Sequence, residues 1–193
     1  MEETDAQLLA LYREGDVEAL ERLVLKYRRP LFGFILGMLL RQGDAEDVFQ
    51  EVWFKAIRNL ERYQDRNFLG WLMQIARNGV VDQLRRKRPN VSMDAESDEG
   101  QSVGQMLASP LAGTFERVAS HDLGGRIAVA VAALPTEQRE VFLMRAQMDL
   151  PFREIARLQA VSINTALARM QYALAKLREA LESDYRELGR QEV

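Results

Sequence analysis

The chain has 193 residues, 47% of them hydrophobic, and a formal net charge of −3, which suits one large domain or two small ones. It contains no cysteine and one histidine, His121, which excludes a disulfide framework, a thiolate or multi-histidine metal site and a Cys- or His-based catalytic triad. We therefore expect no metal, no cofactor, no catalytic residue and no enzymatic activity.

The sequence also predicts a cytoplasmic protein with no direct membrane insertion. No apolar run reaches the roughly 18 residues that a membrane-spanning helix needs. The start, MEETDAQ, is acidic and lacks the apolar core of a signal peptide. The longest apolar stretch, residues 31–40, is too short to span a bilayer and is typical of a buried helix.

Composition divides the chain into two helical parts with a polar segment between them. Residues 1–88 and 122–185 have helical periodicity, and neither shows the alternation of a strand. Residues 89–121 are rich in Ser, Gly, Asp and Glu, which indicates a flexible acidic linker, and residues 186–193 form a short tail. The predicted fold is all-α, with two small helical domains joined by that linker.

The first predicted helix covers residues 4–13, and its inward side chains are Leu8, Leu9 and Tyr12. Asp16 is an N-cap candidate for a second helix that ends near Tyr27. Pro30 is predicted to start a separate segment that runs to Leu40, because proline is disfavoured inside a helix.

Asp44 is the predicted N-cap of the next helix, which runs to about Leu60. A loop over 61–67 then leads to a helix over 68–87. The expected inner stripe of the first of these helices is Val48, Val52, Ala56 and Leu60, and that of the second is Leu72, Ile75, Ala76, Gly79 and Leu84.

Four carboxylates, Asp44, Glu46, Asp47 and Glu51, lie close together in the first of these helices. A metal or acid–base site there would lack a histidine, a cysteine and a phosphate loop nearby. A solvated helix face and an acidic docking face for a basic partner both remain open.

The positive charge is concentrated in residues 61–88, which hold seven Lys or Arg against three Asp or Glu, whereas residues 89–122 hold one against six. The block ends in Arg85, Arg86, Lys87 and Arg88. Such a block is typical of a focused phosphate contact, although cations also suit the end of a solvated helix. Tyr63, Phe68 and Trp71 lie upstream with Arg62, Arg66 and Asn67 between them. They fit stacking on unpaired bases, but we expect Phe68 and Trp71 to be at least partly core.

Residues 134–178 have the pattern of a helix-turn-helix, with a helix over 152–159, a turn at 160–161 and Ser162 as the N-cap of a long second helix. The expected inward residues are Ile155, Ala156 and Leu158 in the first helix and Ala166, Met170, Ala173 and Leu177 in the second. Spacing alone fits a major-groove reader and a plain helical bundle equally.

Together these segments resemble the extracytoplasmic-function group of bacterial RNA polymerase sigma factors, which keeps only regions 2 and 4 of the sigma-70 family. DAEDVFQEVW (44–53) is similar to the polymerase-docking motif, and FLGWLMQIARNGVVDQLRRKR (68–88) to the promoter-melting and minus-ten helix. LPTEQREVF (134–142), REIA (153–156) and VSINTALAR (161–169) are similar to the minus-thirty-five reader.

The resemblance implies a sigma factor that binds core RNA polymerase at its clamp helices and flap and directs initiation at promoter DNA. Asp47, Gln50 and Glu51 would dock on the clamp helices. Region 2 would open the minus-ten element and hold one base in a pocket made by the 61–70 loop. Its implied DNA-binding residues are Arg62, Tyr63, Asn67, Phe68, Trp71, Asn78, Arg85, Arg86, Lys87 and Arg88.

Region 4 would read the minus-thirty-five element in the major groove. The residues that the resemblance places there are Ser162, Asn164, Thr165, Leu167, Ala168, Arg169, Gln171 and Tyr172. The chain departs from the family at Leu167 and Tyr172, where basic residues are common, at Ala168 for a usual Ser, and at Ala160, where glycine is frequent. Fewer cations predict weaker phosphate anchoring, whereas Leu167 and Ala168 would suit thymine methyl groups.

The family is commonly held inactive by an anti-sigma factor, which is therefore an expected partner. Two other functions fit parts of the sequence. A sigma mimic would titrate an anti-sigma factor without binding DNA, and the basic run at residues 85–88 speaks against it. A repressor that reads DNA with residues 134–178 would leave the acidic face of residues 44–53 without a role.

Overall fold

The computed structural model describes residues 3–64, 67–87 and 123–182. Every regular element in these ranges is a helix, which confirms the predicted all-α class. The predicted linker (89–121), the predicted tail (186–193) and Arg88 lie outside the described residues. None of the helices in those ranges is long and apolar enough to cross a membrane.

The chain divides into two compact units, of which the first contains the chain up to Arg86 together with Gln147–Leu150, and the second contains the other described residues from 123 onward. The first unit is formed by α1 (Asp5–Arg13), α2 (Val17–Leu39), α3 (Gln42–Asn59), a 3₁₀ turn (Leu60–Arg62) and α4 (Phe68–Lys87). The second unit is formed by α5 (Leu123–Ala132), α6 (Thr136–Met148), α7 (Phe152–Gln159) and α8 (Ile163–Ala180).

Local capping starts the first two helices where the sequence predicts. Thr4 and Gln7 form a reciprocal capping box at α1. The Asp16 carboxylate accepts hydrogen bonds from the backbone amides of Glu18 and Ala19, at 2.9 and 3.2 Å, which confirms this residue as the cap of α2. Leu8 and Leu9 are buried as expected, and Tyr12 is only half-buried.

The predicted break at Pro30 is wrong, because α2 continues through this residue without interruption. Pro30 cannot donate a backbone hydrogen bond, and a proline inside a helix costs about 3 kcal/mol. Leu23, Leu31, Phe34 and Ile35 on either side of it are fully buried. Each such side chain contributes about 1.5–3 kcal/mol of apolar burial, so packing of the continuous helix outweighs the cost of the proline.

The prediction that Asp44 caps α3 is also wrong, because the helix begins at Gln42 and its N-cap is Arg41. Asp44 lies inside the first turn, where a negative charge still favours the positive end of the helix dipole. Its carboxylate accepts a hydrogen bond from Gln83 of α4 at 3.2 Å, and it lies 3.7 Å from the guanidinium of Arg41. The side chain is thus used to connect α3 to α4 instead of capping.

The apolar stripe of α3 is confirmed: Val48, Val52, Ala56 and Leu60 are all buried. Across it, Gly79 of α4 comes so close that an added Cβ would lie 3.2 Å from Val48 Cγ1. The expected inner face of α4 needs a partial correction. Leu72, Ala76 and Gly79 are buried, but Ile75 and Leu84 are only half-buried, and Met73 and Val80 take the inner positions instead.

The helix-turn-helix prediction is confirmed in its geometry. The Ser162 hydroxyl accepts a hydrogen bond from the Thr165 amide at 3.0 Å, and Ala160 ends α7 in the left-handed conformation, with φ 54° and ψ 43°. The three inward residues of α7 are buried, as are three of the four expected in α8: Ile155, Ala156, Leu158, Ala166, Ala173 and Leu177. Met170 is half-buried.

Replacing Ala160 with glycine should make the protein more stable. A left-handed conformation strains a residue that has a Cβ, so Ala160→Gly should raise the free energy of unfolding by about 0.5–1 kcal/mol despite the added entropy of the unfolded chain. Ala175→Gly is the matched control, because Ala175 is exposed inside α8 and should lose about 1 kcal/mol. Urea denaturation followed by circular dichroism measures both, and two changes of the same sign would contradict the prediction.

Tyr27 should make the protein sensitive to alkali. Burial raises the pKa of Tyr27 above its ordinary value. The hydrogen bond that its hydroxyl donates to Asp5 at 2.6 Å is the second cause and acts in the same direction. The neutral phenol therefore stabilises the fold below pH about 10, the ordinary tyrosine pKa, and this stability is lost as pH rises above that value.

Tyr27→Phe should lower the free energy of unfolding at pH 8 by about 1.5 kcal/mol, because a hydrogen bond to a charged acceptor is removed. It should also reduce the further loss between pH 8 and pH 10.5. Tyr12→Phe is the control, since the Tyr12 hydroxyl makes no hydrogen bond within the described part of the chain. Thermal melts at the two pH values measure the effect, and parallel losses in wild type and Tyr27→Phe would refute the alkaline part.

Candidate nucleic-acid interface and docking face

The outer face of α3 is opposite its buried stripe and consists of Asp47, Gln50, Glu51, Phe54 and Arg58. Asp47 and Gln50 are exposed, and Glu51 is half-buried. Phe54 is 61% exposed and lies under the guanidinium of Arg58, whose Cζ is 5.4 Å from the ring centroid. The face therefore combines acceptors with one large apolar group, which is the composition of a protein-binding surface.

Sequence reasoning missed Phe54, although a signal was present. Residues 47, 50, 51, 54 and 58 follow the spacing of one helix face, and the apolar stripe assigns Phe54 to the side away from the core. Phe54 is therefore a candidate contact residue of this face that the sequence motif alone did not identify.

The four carboxylates near the start of α3 do not converge on one point. Asp44 accepts from Gln83, and Glu46 accepts from Gln42 at 2.8 Å. Glu51 forms an ion pair with Lys55 at 2.7 Å. These separate partners favour a docking or solvated face over a metal site.

Glu51 stays charged well below neutral pH. The hydrogen bond from Lys55 lowers the pKa of Glu51 and outweighs the opposing effect of burial, and the charges of Lys55 and Arg86 add smaller lowering effects. Both ion-pair partners are partly exposed, so the pair adds little to stability. The outer face thus presents a fixed negative charge next to the basic end of α4.

Three aromatic rings meet at the start of α4. The ring centroids of Tyr63 and Trp71 are 4.9 Å apart, and Phe68 lies 5.6 Å from Trp71. Tyr63 is 5% exposed and Phe68 is 2% exposed, so both belong mainly to the core, and Phe68 supports the ring of Trp71 from behind. Arg13 of α1 donates to the backbone carbonyl of Tyr63, which holds this end of the loop against the bundle.

Trp71 lies in the wall of a cleft of about 560 Å³. Of the residues predicted to contact DNA, the structure brings four together there, and three further residues complete the lining: Arg62, Tyr63, Trp71, Asn78, Lys55, Asn59 and Ile75. An aromatic face, two cations and two amides suit a planar heterocyclic base attached to a phosphate. The half-buried position of Ile75 follows from this cleft.

Asn67 and the basic end of α4 lie apart from the cleft lining. The Asn67 side chain accepts a hydrogen bond from the Gly70 amide at 2.9 Å and so caps the first turn of α4. Arg85, Arg86 and Lys87 are exposed, as a phosphate contact requires. Arg88, the last residue of the predicted run, lies outside the described residues.

The N-terminal half of α8 presents most of the remaining predicted residues to solvent. Ser162, Asn164, Thr165, Leu167, Gln171 and Tyr172 are exposed, and Ala168 and Arg169 are half-buried. The hydroxyls of Ser162 and Thr165 lie 2.9 Å apart, so the capping turn engages both of them. Arg169 donates to Gln159 of α7 at 2.8 Å. A helix with an exposed polar face of this kind fits the major groove of B-DNA.

Comparison with known proteins matches both units to one family. The family model described as sigma-70 region 2 matches residues 23–89, and the model described as sigma-70, region 4, matches residues 125–177.

Relatives of similar length match over nearly the whole chain. The RNA polymerase sigma-H factor of Pseudomonas aeruginosa is 30% identical, with 96% of this chain and 98% of the relative covered. The ECF RNA polymerase sigma factor SigW of Bacillus subtilis is 27% identical over 91% and 94% of the two chains. The ECF RNA polymerase sigma-E factor of Escherichia coli is 27% identical over 97% of each.

Two solved structures share the fold. CnrH in complex with the cytosolic domain of CnrY is 24% identical, with a TM-score of 0.64 and coverage of 92% of this chain and 96% of that one. The sigma factor RpoE in complex with the anti-sigma factor NepR from Bartonella quintana is 20% identical, with a TM-score of 0.64 and coverage of 87% and 99%.

Proposed function

The chain belongs to the sigma-70 family, in its extracytoplasmic-function group, and on this premise we propose that it binds core RNA polymerase and directs promoter-specific initiation. The observation that carries the proposal is the presence of both regions, in order, at 23–89 and 125–177 of one chain. Residues 1–88 would act as region 2 and residues 122–185 as region 4, in the cytoplasm, by binding and without catalysis.

The outer face of α3 is the proposed contact with the clamp helices of core polymerase. Its carboxylates and the amide of Gln50 give the orientation and the charge complementarity that steer association with a basic partner. Phe54, the most exposed aromatic side chain of that helix, supplies the apolar anchor, since buried aromatic groups contribute most of the energy in such interfaces.

The cleft beside Trp71 is the proposed site for a base extruded from the minus-ten element. Flipping a base out of the stack costs a few kcal/mol, and stacking on an aromatic side chain returns about 1–3 kcal/mol per base. Asn59 and Asn78 offer donors and acceptors to the base edge, and Lys55 and Arg62 offer charge to the adjoining phosphate. Arg85, Arg86 and Lys87 would follow the backbone further along.

The exposed half of α8 is the proposed reader of the minus-thirty-five element. Leu167 is 38% exposed and therefore open to contact with a thymine methyl group, which suits an apolar side chain. Asn164, Gln171 and Tyr172 are exposed beside it and offer the hydrogen-bonding groups. With Leu167 and Tyr172 at positions often basic in the family, binding by this helix would depend less steeply on salt.

An anti-sigma factor is a proposed third partner. One protein of the same fold, the sigma factor RpoE, was solved in complex with the anti-sigma factor NepR, and another, CnrH, was solved in complex with the cytosolic domain of CnrY. A protein that is able to bind core polymerase and also an anti-sigma factor fits a regulated sigma factor. A protein that binds an anti-sigma factor but not core polymerase would fit the mimic.

Substitutions on the outer face of α3 should weaken binding to purified core polymerase. Gln50→Ala/Glu51→Ala should raise the Kd about tenfold, and Phe54→Ala should raise it by about thirtyfold, because an anchoring aromatic group is lost. Glu21→Ala is the matched control, since it removes one exposed carboxylate from α2 and should leave the Kd unchanged. Fluorescence anisotropy of labelled protein measures these constants.

The wild-type protein must also bind core and initiate for the proposal to stand. Absence of binding to core would leave a sigma mimic or a free-standing DNA reader, and an anti-sigma pull-down would separate those two. Equal Kd values for wild type and both α3 variants would place the docking surface elsewhere.

Asn78→Ala should reduce promoter opening without changing the binding of core. The template is one selected with the wild-type holoenzyme from a randomised promoter library, and permanganate reactivity of unpaired thymines measures opening. Loss of one base-edge contact should lower the extent of opening about tenfold. Asp82→Ala is the control, because Asp82 is exposed on the same helix outside the cleft lining. Normal opening by Asn78→Ala would remove this residue from the proposed site.

A further inference from the structure

Three side chains of the second unit form a hydrogen-bonded chain that crosses three helices. Gln159, the last residue of α7, donates through Nε2 to Glu140 Oε2 at 2.5 Å and to the backbone carbonyl of Glu137 at 3.2 Å, both on α6. Its Oε1 accepts from Arg169 Nη1 of α8 at 2.8 Å. Gln159 and Glu140 are only 7% and 6% exposed. We call this chain the Glu140–Gln159–Arg169 relay.

The chemistry of the relay leaves the amide of Gln159 one orientation. The Glu140 carboxylate and the Glu137 carbonyl both accept hydrogen bonds from this amide, so the amide nitrogen faces α6. The amide oxygen is then directed at α8, where the guanidinium of Arg169 only donates. Each of these hydrogen bonds helps to hold the side chain of Gln159 in place, because a buried polar group without a partner is energetically unfavourable.

We propose that Gln159 is a positioning residue that holds the guanidinium of Arg169 ready to contact promoter DNA, with Glu140 as the anchor of the amide. The proposal rests on the proposed function of α8 as the minus-thirty-five reader. It adds a buried residue outside the reading helix to the determinants of DNA binding.

The geometry leaves the DNA-binding part of Arg169 available. Nη1 is used by Gln159, and Arg169 makes no other side-chain hydrogen bond within the described ranges. Its Nε and Nη2 therefore form a free pair of parallel donors. Such a pair fits two acceptors side by side, which both a phosphate group and the O6 and N7 atoms of guanine provide.

Holding the side chain before binding matters in this particular helix. A flexible arginine loses rotamer freedom when it binds DNA, and a side chain that is already fixed loses less. Few cations are present on α8, because Leu167 and Tyr172 stand where basic residues are common in the family. The contribution of each remaining cation, Arg169 above all, is correspondingly larger.

A double-mutant cycle in the holoenzyme tests the relay. The Kd for the selected promoter is measured for wild type, Gln159→Met, Arg169→Ala and the double variant, with core polymerase in excess. Methionine has nearly the volume of glutamine and no hydrogen-bonding amide. Gln159→Met should raise the Kd about fivefold and Arg169→Ala about twentyfold, and the double variant should match Arg169→Ala within about twofold.

Two results would overturn the proposal. One is a Gln159→Met holoenzyme that binds the promoter as tightly as wild type. The other is a double variant whose loss is the full product of the two single losses, because Gln159 would then act on the fold independently of Arg169. A wild-type holoenzyme that fails to initiate would instead refute the proposed function itself, and the relay's role in DNA binding with it.

Arg169→Lys keeps the test decisive if Gln159→Met does not fold. The lysine ammonium keeps the charge but lacks the planar fork of the guanidinium, so it cannot present two parallel donors to DNA while it is bonded to Gln159. We expect a Kd about tenfold higher with an unchanged melting temperature, and a wild-type Kd would overturn the proposal.

Two further measurements on Arg169→Ala distinguish a contact to guanine from a contact to phosphate. A loss confined to one base pair of the minus-thirty-five element identifies a guanine contact. A uniform loss with a salt slope lower by about one identifies a phosphate. A loss with neither signature would contradict a direct contact by Arg169.

Discussion

The buried stripe of α3 determines which side chains the first unit presents to solvent and which line its cleft. Val48, Val52, Ala56 and Leu60 face the core, and Gly79 lets α4 approach so closely that Val48 fills the space where a side chain would be. Helical geometry then leaves no freedom in the rotation of α3. One side of the helix must carry Asp47, Gln50 and Phe54 into solvent, and its last turns must carry Lys55 and Asn59 to the cleft beside Trp71. The packing of one helix thus separates the proposed docking face from the proposed base-binding cleft.

In the second unit, polar contacts fix the position of a helix, as apolar packing does for α3 in the first unit. α7 is only eight residues long, and its last buried apolar side chain is that of Leu158, so the end of this short helix depends on further contacts. Gln159 ties that end to α6 and α8 at once, and Ser162 starts α8 directly after the turn. The short turn through Ala160 is thereby held from both sides, which sets the orientation of α8, the proposed reading helix.

Features that depend on neighbours in the sequence could be predicted from it. The bounds of α4 and α7, the caps at Asp16 and Ser162 and the stripe of α3 all follow from local spacing and capping chemistry. The errors arose where tertiary packing decided the outcome. Apolar burial on both sides of Pro30 outweighs the energetic cost of a proline inside a helix. Gln83 donates a hydrogen bond to Asp44, which lies 39 positions earlier in the sequence. The Glu140–Gln159–Arg169 relay joins residues that are 19 and 10 positions apart. No local pattern contains such pairs, whereas the cleft was partly predictable because four of its residues carry aromatic or polar groups typical of nucleic-acid contact.

The placement of the tryptophans has an optical consequence. The chain contains two of them, and Trp53 is buried at 7% exposure while Trp71 lines the cleft. The indole of Trp53 is shielded from added nucleic acid and contributes a constant emission. The indole of Trp71 stands where a stacked base would quench it. Ultraviolet fluorescence of the unlabelled protein would therefore report the occupancy of the cleft separately from contacts made by the outer face of α3 and by α8.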